Sequence, residues 1–110
     1  MVPAVEAAEA LRGELSGRHG VSCDLSVEWC GCVLLRVYAD LVVYCDGRVF
    51  RWWAGRLSQG GRPVWAFAHV REVPAAARRI ARRRAWLRRT HPLAPALEKE
   101  DFDAALARPV

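Results

Sequence analysis

Between Arg78 and Arg89 the chain reads RRIARRRAWLRR, and no other stretch concentrates one chemistry so strongly. A guanidinium is always charged, pairs bidentately with phosphate or carboxylate, and stacks flat on aromatic rings. On a helix, Arg78, Arg82 and Arg89 share one face, Arg79 stands at its shoulder, and Trp86 projects toward them. Such a face can grip nucleic acid through its phosphates, or an acidic protein surface through the same groups. The plain alternative is a solvated basic helix with Trp86 lying under arginine stems.

Thiols come next. Cys23, Cys30, Cys32 and Cys45 all fall in or beside expected strands. Cys30-Gly31-Cys32 is not the Cys-x2-Cys spacing of common zinc sites, and His19, His69 and His91 stand singly, so neither metal nor cofactor is expected. The four thiols are expected to be free, buried as small apolar groups, and slow to react in the folded protein, with a redox or disulfide role as the alternative. Catalytic groups do not assemble either. Asp46 is explained by a turn, His69 has no nucleophile partner in view, and Gly60-Gly61 lacks the Lys-Ser/Thr that completes a phosphate loop. A non-enzymatic protein is the expectation.

The third group of residues is aromatic, and it depends on how the strands from Val33 to Ala54 are laid out. Every odd position from 33 to 45 is apolar (Val33, Leu35, Val37, Ala39, Leu41, Val43, Cys45). A tight turn at Ala39-Asp40 would swap the faces of the two halves, so unbroken parity predicts one long second strand, bent or bulged near Asp40. Asp46-Gly47 then predicts a two-residue hairpin pairing Cys45 with Arg48 and Val43 with Phe50. In that arrangement Phe50, Trp52 and Ala54 join the core face. Behind it gather Tyr38, Val42, Tyr44, Arg51, Trp53, Trp65 and Phe67, with Arg36. So aromatic a face is too apolar for open water and is expected to be an interface, with self-association favoured. A covering tail or first helix is the alternative.

The remaining elements frame these surfaces. Val5, Ala8, Leu11 and Leu15 repeat at helical spacing, predicting a helix over 4–16 that the SGRHG run ends. Cys23, Leu25, Val27 and Trp29 alternate with Asp24, Ser26 and Glu28, a half-buried strand with its turn at Gly31. A further strand is expected over 64–70, with Val64, Ala66, Ala68 and Val70 toward the helices. Pro74 opens a second helix over 74–90. The expected fold class is α+β: an antiparallel meander of three to four strands, the second one long, with an N-terminal and a C-terminal helix packed on one face.

Charge is unevenly spread. The net +5 comes from residues 71–90, where eight arginines face Glu72 alone; residues 1–70 are balanced at seven against seven. With 53% apolar and 26% charged residues, 110 residues suffice for a single α+β domain over 1–92, followed by an acidic tail at 93–110 that EKEDFDAAL equips for one short helix. No apolar run spans a bilayer and no secretory signal is visible, so a cytoplasmic protein is expected.

Helix–strands–helix order resembles the double-stranded-RNA-binding domain, whose last helix presents basic residues to phosphates. Pro74-Ala75-Ala76-Ala77 stands where that family clusters lysines, so the likeness is one of topology. Through VVYCDGRVFRWWAGR and AARRIARRRAWLRRTHP the chain also resembles small uncharacterised proteins of high-GC actinobacterial genomes, which carry no assigned activity. That resemblance implies the fold and transfers no functional residue. Two functions are expected from the residues: an interaction or adaptor protein, working with a protein partner or a second copy, or a nucleic-acid-binding protein using the helix at 74–90.

Overall fold

The computed structural model describes residues 3–90. The tail at 93–110 and its short helix lie outside the described residues. Helix α1 (Ala4–His19) is followed by β1 (Asp24–Val27), β2 (Val33–Tyr38), β3 (Leu41–Cys45), β4 (Val49–Leu57), β5 (Pro63–His69) and helix α2 (Val73–Thr90). The strands form one antiparallel sheet in the order β1-β2-β3-β4-β5. The fold class is therefore the expected α+β meander with two helices, and the strand number is five. No helix among the described residues is long and apolar enough to cross a membrane.

The extra strand arises because the long second strand is in fact two. A two-residue turn at Ala39-Asp40 separates β2 from β3, and Tyr38 pairs with Leu41 across it. Such a turn ought to swap the faces. It does not, because the register slips between Arg36 and Tyr38: Arg36 faces Val42 and Tyr38 faces Leu41, leaving Val37 as an extra residue. A bulge places two residues opposite one and cancels the parity change of the turn. Leu35 then still faces Val43, and Val33 still faces Cys45. Both Val37 and Tyr38 are buried.

One layer of core lies between this sheet and the helices. Leu11 and Leu15 of α1, Ile80 of α2, and Leu35, Leu41 and Phe50 of the sheet are fully buried. Each such side chain contributes about 1.5–3 kcal/mol relative to staying exposed. Ala7 and Ala8 on α1 and Ala76 and Ala77 on α2 complete the buried stripes, and the small side chains let the two helices pack on each other as well as on the sheet. Val5, expected on the α1 stripe, is exposed. The helix runs three residues further than expected, to His19. Gly20 closes it at φ 64°, and the Val21 amide donates to the Leu15 carbonyl at 3.0 Å.

Turn chemistry differs from expectation at Asp46-Gly47. Cys45 pairs with Phe50, so four residues lie between the last paired positions instead of two. Asp46 Oδ1 accepts the amides of Arg48 (2.8 Å) and Val49 (3.1 Å), and Gly47 has φ 93°. The side-chain carboxylate mimics a backbone acceptor and organises the wider loop. A shift of two residues leaves every side chain on its expected face, so Phe50 and Trp52 remain in the core.

Replacing Gly47 by Val forces a β-branched residue to positive φ, and the expected loss is about 1–3 kcal/mol. Thermal unfolding measures it; an unchanged midpoint would mean the turn tolerates any residue. The amides of Arg48 and Val49 also hold the Asp46 carboxyl below its usual range. Its contribution is therefore present above the ordinary aspartate pKa of about 3.9 and is lost as pH falls through the lower folded value. Asp46→Ala should remove that acid-sensitive part of the stability curve, as read by urea unfolding at several pH values.

Candidate functional site

Both helices cover one side of the sheet, and no described element covers the other. On that open side the register brings Tyr44 opposite Arg51, Arg51 opposite Phe67, and Trp53 opposite Trp65. The Tyr44 and Trp65 rings meet edge to face with centroids 5.8 Å apart, a favoured aromatic geometry. Phe67 is 53% exposed, Trp65 43% and Tyr44 38%, values that place large apolar surface in water. Trp53 is half-buried, and its indole Nε1 finds no acceptor among the described residues. Between these rings and the Ala39-Asp40 turn lies a shallow hollow of about 260 Å3, with Val42 in its floor.

The open side changes character across the strands. Toward β1 it carries Asp24 opposite Arg36, with Ser26 and Leu34, around a smaller hollow of about 110 Å3. Toward β5 it is aromatic with Arg51 among the rings. Of the seven residues expected on this face, six are there: Val42, Tyr44, Arg51, Trp53, Trp65 and Phe67. Tyr38 is not. The bulge at Val37 turns it into the helix-side core, where it is 7% exposed and lies under the Arg84 guanidinium, 5.9 Å from the ring centroid.

The arginine helix is divided between inward and outward work. Arg79 Nη1 donates to the Phe67 carbonyl at 2.6 Å, and its guanidinium sits 4.9 Å from the Trp52 ring centroid. Arg83 lies 4.5 Å from the Trp86 ring and over Gly55, where φ is 81° and any Cβ would strike its guanidinium. Arg79, Arg83 and Arg84 thus bind the helix to the sheet and to core aromatics. Arg78, Arg82 and Arg89 remain exposed, with no ion pair among the described residues. Trp86 is 46% exposed beside them and is stacked by Arg83. Of the four arginines expected to form the basic site, Arg79 is the one held by the sheet, and Trp86 is already stacked by Arg83.

The thiols split as well. Cys23 and Cys45 are buried, and burial pushes both above the usual thiol range. Cys30 is exposed and Cys32 only half-buried, contrary to the expectation of four buried thiols. The reason is that β1 ends at Val27. Val27 and Trp29, expected to face inward, are 59% and 97% exposed, and the tip of the hairpin projects beyond the core. All four cysteines are free, and among the described residues no three metal-ligating side chains come together.

Sheet, open aromatic face and partly occupied arginine helix define a two-layer α+β domain with exposed aromatic rings on one layer and exposed arginines on the other. Compared with protein-family models, curated proteins and solved structures, the chain matches none of them.

This division of the arginines has a measurable consequence. Arg79→Ala is expected to cost about 1–2 kcal/mol, from a charge-assisted hydrogen bond and an aromatic contact. Arg78→Ala and Arg82→Ala should each stay within about 0.5 kcal/mol. Urea unfolding of the three variants reads the difference, and equal losses would contradict the assignment.

Proposed function

We propose that the protein is a small interaction protein that pairs through the open aromatic side of its sheet, foremost with a second copy of itself. The observation that carries this reading is the uncovered Tyr44–Trp65–Phe67 surface, which sits opposite both helices. Aromatic residues with an arginine among them form the composition that dominates binding energy at protein interfaces. Face-to-face pairing also suits the charge layout. It holds the two arginine helices on opposite outer surfaces of the dimer, far from one another, while the nearly neutral sheets meet. Arg51, beside Tyr44 and Phe67 in the register, is placed to lie against the partner's rings.

Sedimentation equilibrium of the full chain tests the reading. A dimer is expected at micromolar concentration, and Trp65→Ser with Phe67→Ser should give a monomer with unchanged far-ultraviolet circular dichroism. Wild-type protein that stays monomeric at about 100 μM, a concentration where affinities worth about 5.5 kcal/mol would show, would overturn it.

A second reading rests on a separate observation: Arg78, Arg82 and Arg89 are exposed without acidic partners among the described residues, beside a half-exposed Trp86. These groups suit phosphates and a stacked base. Three phosphate contacts would make log K fall with log salt at a slope of about −2.7 on duplex DNA. Absence of binding at about 50 mM salt removes this reading.

A further inference from the structure

The β1–β2 hairpin tip carries chemistry that the sheet face and the arginine helix do not use. Trp29, Cys30 and Gly31 form its three-residue loop. Glu28 N donates to the Cys32 carbonyl at 2.8 Å, Gly31 N donates to the Glu28 carbonyl at 2.9 Å, and Gly31 has φ 87°. This is the compact loop in which a turn is closed by a glycine in the left-handed region. It fixes Cys30 and Cys32 on either side of that glycine. Cys30 is exposed at the tip and Cys32 is half-buried beside it. The polar backbone and then the side chain of Cys32 lower the Cys30 thiol from its ordinary range, although Glu28 opposes them. The Cys30 side chain and its charge push Cys32 up, with Asp46 adding to the effect.

The two sulfurs therefore have different roles open to them. Cys30 is exposed and can be reached by a disulfide, as an attacking group must be. Cys32 is half-buried on the other side of Gly31, two positions along the same tight loop, where a resolving thiol must stand. Two Cα atoms one residue apart are within about 7 Å even when extended, and a turn brings them into the ~4.4–6.8 Å range that a disulfide spans. Trp29, 97% exposed and adjacent, adds a large apolar surface on which a polypeptide can rest. No third ligating side chain joins the pair among the described residues, so the donors match a two-electron thiol exchange better than a metal.

We propose that Cys30 and Cys32 form a redox-active dithiol whose co-reactant is an accessible disulfide. The Cys30 thiolate attacks one sulfur of the disulfide R–S–S–R′. A Cys30–S–R bond forms, the S–S bond breaks, and R′–S⁻ leaves with the electron pair and takes up a proton. Cys32 then loses its proton to solvent and attacks the Cys30 sulfur, expelling R–S⁻, which is protonated in turn. The chain is oxidised by two electrons to a Cys30–Cys32 disulfide, and the co-reactant is reduced to two thiols. Cys23 and Cys45 take no part, because both are buried.

Oxidised glutathione serves as the probe, added to the full reduced chain near pH 8 and followed by intact mass and peptide mapping. Wild-type protein should lose two hydrogens, located to Cys30 and Cys32, and regain them with excess dithiothreitol. Cys32→Ser should instead accumulate a glutathione adduct on Cys30, and Cys30→Ser should react at least tenfold more slowly. Because both residues sit on a projecting loop, circular dichroism of the variants should match the wild type. A glutathione adduct that persists on Cys30 of the wild type would mean an exposed thiol without a resolving partner, and would overturn the proposal. Equal rates for wild type and Cys30→Ser would overturn it as well. Neither result bears on whether the sheet face self-associates.

Discussion

One extra residue in β2 sets the sidedness of this sheet. The tight turn at Ala39-Asp40 by itself would rotate β3 by one position and send Val43 and Cys45 outward. The bulge at Val37 restores the alternation, so Leu35, Val43 and Phe50 all meet the helices. The same adjustment leaves Val42, Tyr44 and, beyond them, Arg51, Trp53 and Phe67 on the far side. Core and open face are thus two results of a single local irregularity. Tyr38 is the residue that moves to make it possible, and the core accepts its ring beneath the Arg84 guanidinium.

Side assignments were legible in the sequence; connections were not. Period-two alternation names the face of a strand residue whatever its partner, which is why six of seven aromatic-face residues were found without coordinates. The parity argument failed at 37–40 because it assumed that a turn and a bulge do not occur together, and two compensating shifts leave no trace in an alternation. At Asp46-Gly47 the dipeptide marked the turn correctly. The loop widened because the Asp46 carboxylate itself supplies the acceptor for two amides. The projecting tip at Trp29–Cys32 was missed for a different reason. Its alternation continues past Val27, although the strand stops there and no core lies beneath. Cys-Gly-Cys centred on a turn glycine was the one signal that pointed to exposure.

Arginine content alone overstated how much of α2 is available for binding. Three of its guanidinium groups lie over Trp52, Trp86 and Tyr38. Arginine does here what a lysine cannot, since its flat, weakly hydrated head group stacks on a ring while still donating hydrogen bonds. A helix read as a polyanion-binding face is also the means by which the helical layer is fastened to the sheet. The two uses divide by position, with Arg79, Arg83 and Arg84 turned inward and Arg78, Arg82 and Arg89 left to solvent.

The outermost strands of the sheet carry a consequence for solubility. A sheet that ends in open strands offers unpaired amides and carbonyls to any other extended chain, and growth from such an edge is a route to fibrils. Here neither edge is a good template. β1 has only four residues, begins with Asp24 and is followed by Glu28, so an incoming strand finds little length and fixed charge. β5 begins with Pro63, which has no amide to donate, and one of its carbonyls, that of Phe67, is already held by Arg79. Lateral extension is blunted at both margins, so strand-by-strand growth from the sheet edges is disfavoured even in a chain this rich in exposed tryptophan.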